Sequence, residues 1–340
     1  MRVVVTGATG NLGTSVLAAL AEEPAVESVV GVARRRPDVA WPKVAWRSAD
    51  VTGADLSALF AGADAVVHLA WIVQPNHDER ALQRVNVEGT LRVLDAVAVA
   101  RVPVLVSESA FGAYSAGPSD RVVDESWPTH GLAGSWYSRQ KAYVERALDA
   151  FELAHPEVRA VRFRSAYVLK REAAAQAHRL YGGPLLPHRL ARPGRLPAIP
   201  FPSGMRFQAV HSLDVGQAYR RALVADVRGP FNLAAEPVLD AAAVASAMAA
   251  RPVPVPPGLV RAAAAAAWHL RLQPTSPDWV ELLVRPTLLD ARRAGEELGW
   301  SPVHTATAAL AEFLDGVADG AGGDTPPLLP LDRARPSFRP

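Results

Sequence analysis

The two residues best suited to proton chemistry are Tyr137 and Lys141, which lie four positions apart in a helical pattern. One helical turn separates them, so the phenol and the ammonium project from the same face of the helix. A neighbouring ammonium favours the phenolate, and we therefore expect a lowered pKa that suits Tyr137 to acid–base catalysis. The chain has six tyrosines and three lysines among 340 residues, so only about 0.05 such pairs are expected by chance.

A second informative stretch covers residues 3–13, where a β-branched run ends in three glycines spaced three apart. This pattern predicts a buried strand, a tight turn and the N-terminus of a helix. The first amide groups of such a helix, together with the positive end of its dipole, can bind a pyrophosphate. The residues expected to contact a dinucleotide here are Gly7, Thr9, Gly10, Asn11, Leu12 and Gly13.

The next predicted strand, Ser28 to Ala33, is followed directly by Arg34 and Arg35. In a dinucleotide-binding fold the end of this strand meets the adenosine ribose, where an acidic residue suits NAD and an arginine suits the 2′-phosphate of NADP. Planar guanidinium groups pair well with phosphate. The arginines favour NADP over NAD, and the alternative is an arginine-rich surface loop.

Strand and helix patterns alternate with short connections through the first half of the chain, including a long helical pattern from Glu79 to Ala100. The alternation predicts an α/β fold, a Rossmann-type doubly wound parallel sheet with a smaller C-terminal substrate-binding portion. We expect the NADP-binding domain to cover 1–165 with returning segments near 207–235. The substrate-binding portion would cover 166–206 and 236–319, and a poorly ordered tail 320–340.

Composition excludes several classes of function. The chain has no cysteine, so disulfides and thiolate metal sites are excluded. Its net charge of +2 is too small to favour binding to nucleic acid. The histidines lack metal-ligand spacing, so we expect no metal. The most apolar later segments are short and interrupted, and the chain starts with a core strand, so we expect a cytoplasmic protein with no membrane partner.

Together these features resemble the extended short-chain dehydrogenase/reductase family, which includes NAD(P)-dependent sugar epimerases and dehydratases. The resemblance covers most of residues 1–300. It rests on the order and spacing of motifs at 6–13, 50–51, 68–70, 86–90, the Tyr137/Lys141 pair, and 206–211 leading to Asp214.

The resemblance implies cofactor contacts at the adenine from Asp50 and Val51, and at the phosphates and ribose from Leu69 and Ala70. Lys141 would bind the nicotinamide ribose as well as tune Tyr137. Asn86 matches an asparagine thought to support a proton relay. The alternative is that Asn86 stabilises an irregularity in its helix.

One departure from the family concerns the active-site strand. Family members carry a Ser or Thr four residues before a Tyr, and counting back from Tyr114 places Ala110 there. Ser109 is adjacent, but neighbouring side chains on a strand point to opposite faces. Either the strand shifts so that Ser109 is catalytic, or the enzyme works without that hydroxyl, or it is not an ordinary dehydrogenase. Glu108 is a substituted acid–base group or, alternatively, an ion-paired side chain.

Three functions follow from these residues and from the resemblance. The first is an NADP-dependent oxidoreductase that transfers hydride between the nicotinamide and a carbonyl or alcohol carbon of a small molecule. The second is an epimerase or dehydratase that uses hydride transiently, and the third is an NADP-binding regulator that has lost catalysis. A nucleotide sugar is not favoured, because Arg206 matches one diphosphate-binding arginine of the epimerases but a second is not evident.

The resemblance also implies a homodimer. The helices around 80–100 and 136–154 of two subunits would pack as a four-helix bundle. On the second of these helices, Trp136, Tyr143 and Ala147 lie beside the face that carries Tyr137 and Lys141, and they could contribute to this interface.

Overall fold

The computed structural model describes residues 1–73, 78–118, 121–183, 186–273, 276–284 and 286–333. Its strands, β1 to β12 in chain order, are Arg2–Thr6, Ser28–Ala33, Val44–Ser48, Ala65–His68, Val104–Glu108, Arg159–Ser165, Tyr167–Leu169, Ala198–Pro202, Arg206–His211, Gly229–Leu233, Ala235–Asp240 and Arg251–Val255. Its α-helices, α1 to α12, are Asn11–Ala21, Leu56–Phe60, Glu79–Gln83, Gly89–Val99, Trp136–Ala154, Ala174–Ala177, Ser212–Val224, Ala241–Ala247, Pro257–His269, Asp278–Val284, Arg292–Leu298 and Ala306–Asp319.

Seven parallel strands form the main sheet in the order β10-β6-β5-β4-β1-β2-β3. The central strands are buried on both faces, which explains why they appear in the sequence as continuous apolar runs instead of alternating patterns. The strand order reverses between β1 and β4, and ligands of such sheets bind beyond the carboxyl ends at this point. The structure confirms the predicted Rossmann-type α/β fold.

Helices cover both faces of the sheet. On one face α1 and α7 approach closely at Gly216, where a Cβ would lie 2.6 Å from the carbonyl oxygen of Ser15. On the other face α4 and α5 bury Val97, Val144 and Leu148 against the strands. Since α5 carries the Tyr137/Lys141 pair, this layer places the pair at the sheet.

The helical pattern from Glu79 to Ala100 is not one regular helix. It divides into α3, a π-helical turn over Arg84–Glu88, and α4. The wider turn contains Asn86, the residue for which the sequence left two roles open. The predicted helix is thus present, but with an irregularity that periodicity alone did not locate.

The second portion contains a three-stranded sheet, β11-β9-β7, and a two-stranded sheet, β12-β8. Strand β9 lies in the segment near 207–235 that the sequence pattern assigns to the dinucleotide domain. It pairs with β7 and β11 instead, and only α7 and β10 return to the main sheet. An apolar strand pattern does not itself specify which sheet the strand joins.

Residues 320–333, called the C-terminal strap below, are folded against the glycine turn. Thr325 is 1% exposed, and its hydroxyl donates to the Thr9 carbonyl at 2.7 Å. The guanidinium of Arg179 donates to the carbonyls of Leu329 at 2.7 Å and Pro327 at 2.8 Å. Residues 320–333 of the predicted poorly ordered tail make these contacts, residues 334–340 lie outside the described residues, and poor order of the tail stays a prediction. No described helix has both the length and the apolar character required to cross a membrane.

Candidate active site

The glycine turn between β1 and α1 packs directly against the end of β4. Gly7 has φ +69°, and a Cβ there would lie 2.7 Å from backbone atoms of Leu69 and Ala70. A Cβ on Gly13 would lie 2.3 Å from the Gly7 carbonyl oxygen, so that position also requires glycine. The structure thus brings together the predicted turn and the predicted Leu69 and Ala70.

The opposite side of this turn can accept an anion. At Gly10 the nearest atom to an added Cβ is the Gly7 carbonyl oxygen at 3.4 Å. Gly10 is the N-cap of α1, and within the described chain no side chain caps this helix. The first-turn amides, which include those of Asn11 and Leu12, therefore suit the pyrophosphate of a dinucleotide.

Lys170 ties the start of α1 to the second portion, and sequence reasoning missed it. Its ammonium donates to the Asn11 carbonyl at 2.8 Å, the Thr14 hydroxyl at 2.6 Å and the Ser15 hydroxyl at 3.0 Å. The side-chain Nδ2 of Asn11 also donates to the Val168 carbonyl at 2.9 Å. Burial lowers the pKa of Lys170 to about 8.

A buried hydrogen-bond chain joins the ends of β1 and β4 to α4. The Nδ1 atom of His68 lies 2.8 Å from the Thr6 hydroxyl, and its Nε2 atom lies 3.0 Å from the Thr90 hydroxyl. Thr90 donates its proton to the Asn86 carbonyl at 2.6 Å, so it accepts from Nε2–H while Thr6 donates to Nδ1. Burial, assisted by the Lys141 charge, lowers the pKa of His68 to about 3, which keeps the ring neutral.

The Asn86 amide fixes the segment that follows β4. Its Oδ1 accepts from the Ile72 amide at 2.8 Å, and its Nδ2 donates to the Ile72 carbonyl at 3.0 Å and to Gln140 Oε1 at 2.9 Å. These bonds join the π-helical turn, the segment after β4 and α5. They are what a stabilised helix irregularity requires, and the roles of Asn86 in a proton relay and in cofactor binding stay predictions.

Helix α5 is fixed at its start and in its middle. Ser135 accepts from the Ser138 amide at 3.3 Å as N-cap, and the Ser138 hydroxyl donates to the Gly112 carbonyl. Two turns after Tyr137, the Glu145 carboxylate accepts from Arg164 Nη2 at 2.7 Å and from Arg162 Nη1 at 3.1 Å. These contacts set the rotation of α5 and thus the direction in which Tyr137 and Lys141 point.

Lys141 lies at the carboxyl end of β5. Its ammonium donates to the Glu108 carbonyl at 3.2 Å and lies 3.7 Å from the centroid of the Trp71 ring. Burial lowers the pKa of Lys141 to about 8, although the carboxyl groups of Glu108 and Glu145 oppose this change. The ammonium therefore faces a ring that directly follows the predicted Leu69 and Ala70.

Aromatic rings surround Tyr137. Its centroid lies 6.2 Å from those of Trp71 and Trp136, both edge-on, and 5.0 Å from that of Trp279. Burial raises the pKa of Tyr137 well above its usual range, and the Glu108 carboxyl adds to the increase. The lowered pKa expected for Tyr137 is therefore wrong for this structure, because burial disfavours the charged phenolate.

Glu108 points from the end of β5 towards α7. Its Oε2 accepts from the Tyr219 hydroxyl at 2.6 Å. Burial raises the pKa of Glu108 to about 7, while Tyr219 and the Lys141 charge act in the opposite direction. An ionisable carboxyl with a pKa near neutrality therefore lies beside Tyr137 and Lys141.

Ser109 and Ala110 follow Glu108 at the end of the active-site strand. The Ser109 amide donates to the Phe163 carbonyl at 2.7 Å, and its side chain is buried. Burial raises the pKa of Glu145, but Arg164, Arg162 and the Ser109 hydroxyl together lower it by more. The Ser109 hydroxyl thus faces the Glu145 ion pair, and its catalytic role stays a prediction.

The predicted adenine and ribose contacts lie at the ends of β2 and β3. Asp50 Oδ1 accepts from the Thr52 amide at 2.9 Å and the Thr52 hydroxyl at 2.7 Å. Val51 is buried and packs against Gly89, whose added Cβ would lie 2.7 Å from it. Arg34 and Arg35 are both exposed directly after β2. These residues follow neighbouring strands at the carboxyl edge of the sheet, and their contacts with a cofactor stay predictions.

Sequence reasoning missed the rings contributed by Trp71 and Trp279. Trp71 directly follows the Leu69-Ala70 motif, and this position could have indicated that its ring lies near the cofactor site. Trp279 lies in α10, more than one hundred residues after Tyr137, and nothing local in the sequence indicates that they meet.

Comparisons with known proteins agree with this geometry. A family model described as "NAD dependent epimerase/dehydratase family" matches residues 3–192. An uncharacterised protein of Mycobacterium tuberculosis, Rv2047c, is 29% identical over 330 residues, which cover 95% of this chain and 31% of that protein. The chain therefore spans about a third of the length of that relative. A second uncharacterised protein of the same organism, Rv0501, is 25% identical over 92% of this chain and 83% of its own length.

Two solved structures share the fold. The UDP-glucose 4-epimerase of Thermotoga maritima with UDP-glucose has a TM-score of 0.69 and 18% identity, covering 93% of this chain and 98% of its own. MoeE5 in complex with UDP-glucuronic acid and NAD has a TM-score of 0.68 and 21% identity, with the same coverage.

Proposed function

Because the chain belongs to the NAD-dependent epimerase/dehydratase family, we propose that it is an oxidoreductase that moves hydride between a nicotinamide cofactor and a carbonyl or alcohol carbon. The observation that carries this proposal is a continuous set of contacts from the glycine turn to Tyr137. Gly7 packs on Leu69 and Ala70, and the next residue, Trp71, contacts both Lys141 and Tyr137. A dinucleotide bound at the turn would thus extend to the acid–base pair.

The residues of this site fit a dinucleotide. The uncapped N-terminus of α1 and the glycine backbone would hold the pyrophosphate, Asp50 and Val51 the adenine, and Lys141 the nicotinamide ribose. When bound, the cofactor supplies the hydride acceptor or donor at C4 of its ring. The exposed Arg34 and Arg35 support NADP, while the solved structure of MoeE5 contains NAD.

In the reductive direction Tyr137 donates the proton to the carbonyl oxygen. Its raised pKa keeps the phenol protonated at neutral pH, which is the state that donation requires. Lys141 stabilises the phenolate that remains, and the rings around Tyr137 exclude water from the transfer. Glu108 lies close enough to influence both groups.

The second candidate is an epimerase or dehydratase with transient hydride transfer. It is favoured by the fold shared with UDP-sugar epimerases. A catalytically impaired NADP-binding regulator is the third candidate, and the presence of Ala110 at the usual serine position favours it.

A turnover panel with NADPH and NADH separates the three candidates. The proposal expects net oxidation of NADPH that depends on Tyr137. Product formation without net consumption would identify an epimerase or dehydratase. Tight binding of NADPH without Tyr137-dependent turnover would identify the regulator and contradict the proposed function.

We also propose a homodimer located in the cytoplasm, as the sequence suggests. Support for the dimer comes from a surface groove between α3 and α5, lined by Glu79, Gln83, Trp136, Arg139 and Tyr143. Tyr143 is 54% exposed in the single chain and would be covered by a second copy.

A further inference from the structure

Aromatic side chains from distant parts of the chain meet around Tyr137, and we call this group the aromatic cage: Trp71, Trp136, Tyr181 and Trp279. Tyr181 packs edge-on against Trp279 with centroids 5.3 Å apart. Besides burial, Tyr167 raises the pKa of Tyr137, and both Tyr137 and Tyr167 raise the pKa of Tyr181. The Tyr137 phenol therefore lies among aromatic rings, with Glu108 and Lys141 as its charged neighbours.

Polar atoms within this region lack partners. The indole nitrogens of Trp71 and Trp279 and the hydroxyl of Tyr167 are buried, and none has a hydrogen-bond partner among the residues that the structure describes. Trp279 is only 7% exposed. Folded proteins rarely leave a buried donor unpaired, because an unmade hydrogen bond is costly. Three such groups beside one reactive phenol indicate a site for the oxygen atoms of a ligand.

Lys141 on α5 and two arginines on β6 already have partners. The Lys141 ammonium is covered by Trp71 and bonded to the Glu108 carbonyl. Arg162 and Arg164, on the strand next to β5, are paired with Glu145. A diphosphate requires cations with free donors, whereas an uncharged ring is suited to the aromatic surfaces that the cage presents.

Resting on the proposed function, we propose that the substrate is an uncharged aromatic carbonyl compound with a further oxygen substituent, and not a sugar nucleotide. The aromatic ring packs against Trp279 and Tyr181, and the oxygen substituent accepts a hydrogen bond from the Trp279 indole. The carbonyl carbon receives hydride from the reduced nicotinamide, and the carbonyl oxygen receives the Tyr137 proton. An alcohol and the oxidised cofactor result, and Tyr137 regains a proton from water.

The test compares four compounds with NADPH: 4-methoxybenzaldehyde, benzaldehyde, cyclohexanecarbaldehyde and UDP-glucose. We expect kcat/KM for the methoxy compound to exceed that for the cyclohexane compound by about tenfold, from ring packing and one hydrogen bond. We expect Trp279→Phe, which keeps a ring but removes the N–H, to lower kcat/KM for 4-methoxybenzaldehyde by about 3- to 10-fold and for benzaldehyde by less. Trp279→Leu removes the ring as well and should lower kcat/KM for both aromatic aldehydes.

The matched control is Trp127→Phe, because the Trp127 indole already donates to the Ser115 carbonyl at 3.3 Å. This variant should leave the ratios between compounds unchanged. Circular dichroism shows whether each variant folds. If Trp279→Leu does not fold, Trp279→Phe decides the test. Equal kcat/KM for the aromatic and cyclohexane aldehydes, or an unchanged ratio in Trp279→Phe, would overturn the inference.

Failure of the inference can be told apart from failure of the proposed function. Tyr137-dependent turnover of UDP-glucose in preference to the aldehydes would overturn the substrate class and leave the Tyr137 chemistry in place. Tyr137-independent or absent turnover of every compound would overturn the proposed function and, with it, the inference.

Discussion

The indole ring of Trp71 lies over the ammonium group of Lys141, with Nζ 3.7 Å from the ring centroid. The electron-rich face of the ring attracts the cation and offsets part of the cost of burying it. The same ammonium is the group proposed to bind the nicotinamide ribose. A bound cofactor must therefore share Lys141 with Trp71 or displace the ring.

The first prediction follows from this contact. Binding of NADPH should change the fluorescence of Trp71, because its ring moves or gains a charged neighbour. In Trp71→Phe, which keeps a ring over Lys141, the NADPH-induced change in tryptophan emission should be clearly smaller than in the wild type. In the control Trp127→Phe it should not decrease. Equal changes in all three proteins would show that the cofactor does not reach Trp71.

The second prediction concerns stability and pH at Glu108. Its pKa is raised from 4.5 to about 7 in the folded protein, so the folded state keeps a proton that the unfolded chain releases. This contribution to stability is complete below about pH 4.5 and is lost as pH rises through about 7. Glu108→Gln should therefore gain stability relative to the wild type over that range, by about 3 kcal/mol.

Urea unfolding of both proteins at several pH values measures this difference. Glu22→Gln, which removes an exposed carboxylate at the end of α1, is the matched control. A wild-type-minus-variant difference that is flat between about pH 5 and 8 would contradict the burial argument for Glu108.

The third prediction tests the cofactor preference. Replacing Arg34 and Arg35 together by Ala should weaken NADPH binding by about tenfold or more, because charge-assisted bonds to the 2′-phosphate are lost. NADH binding should change little. Arg36→Ala, at the neighbouring exposed position, serves as control in the same calorimetric titration. Equal losses for both cofactors would argue against an NADP site.

The fourth prediction tests the C-terminal strap. Thr325→Val keeps the shape of the side chain but leaves the Thr9 carbonyl without its 2.7 Å hydrogen bond. The free energy of unfolding should fall by about 1–2 kcal/mol. Thr307→Val, at an exposed position in α12, should change it much less. If the two variants have the same stability in urea, the strap does not support the glycine turn.

Local features of this protein could be predicted from its sequence because each depends on residues close together in the chain. The glycine turn can be predicted from positions 3–13 alone, and the shared face of Tyr137 and Lys141 can be predicted from one helix. The parallel sheet follows from the alternation of strands and helices, and the structure confirms it. These features share short sequence separations and strong steric or periodic constraints.

The environment of Tyr137 could not be predicted in this way. The direction of its pKa change depends on burial by Trp71 and Trp279, which come from other elements. The strap was similarly hidden, because its composition is typical of a disordered segment while its stability depends on Thr9 and Arg179. Long-range packing decided both cases, and periodicity carries no information about it.

The most direct test of the central claim is Tyr137→Phe, measured with the best substrate of the panel and NADPH. In the proposed reaction the phenol supplies the proton, so kcat/KM should fall by about 10²- to 10⁴-fold. NADPH affinity should stay within about twofold, because the ring remains packed against Trp279. Undiminished kcat/KM in this variant would contradict the assignment of Tyr137 as the acid–base group.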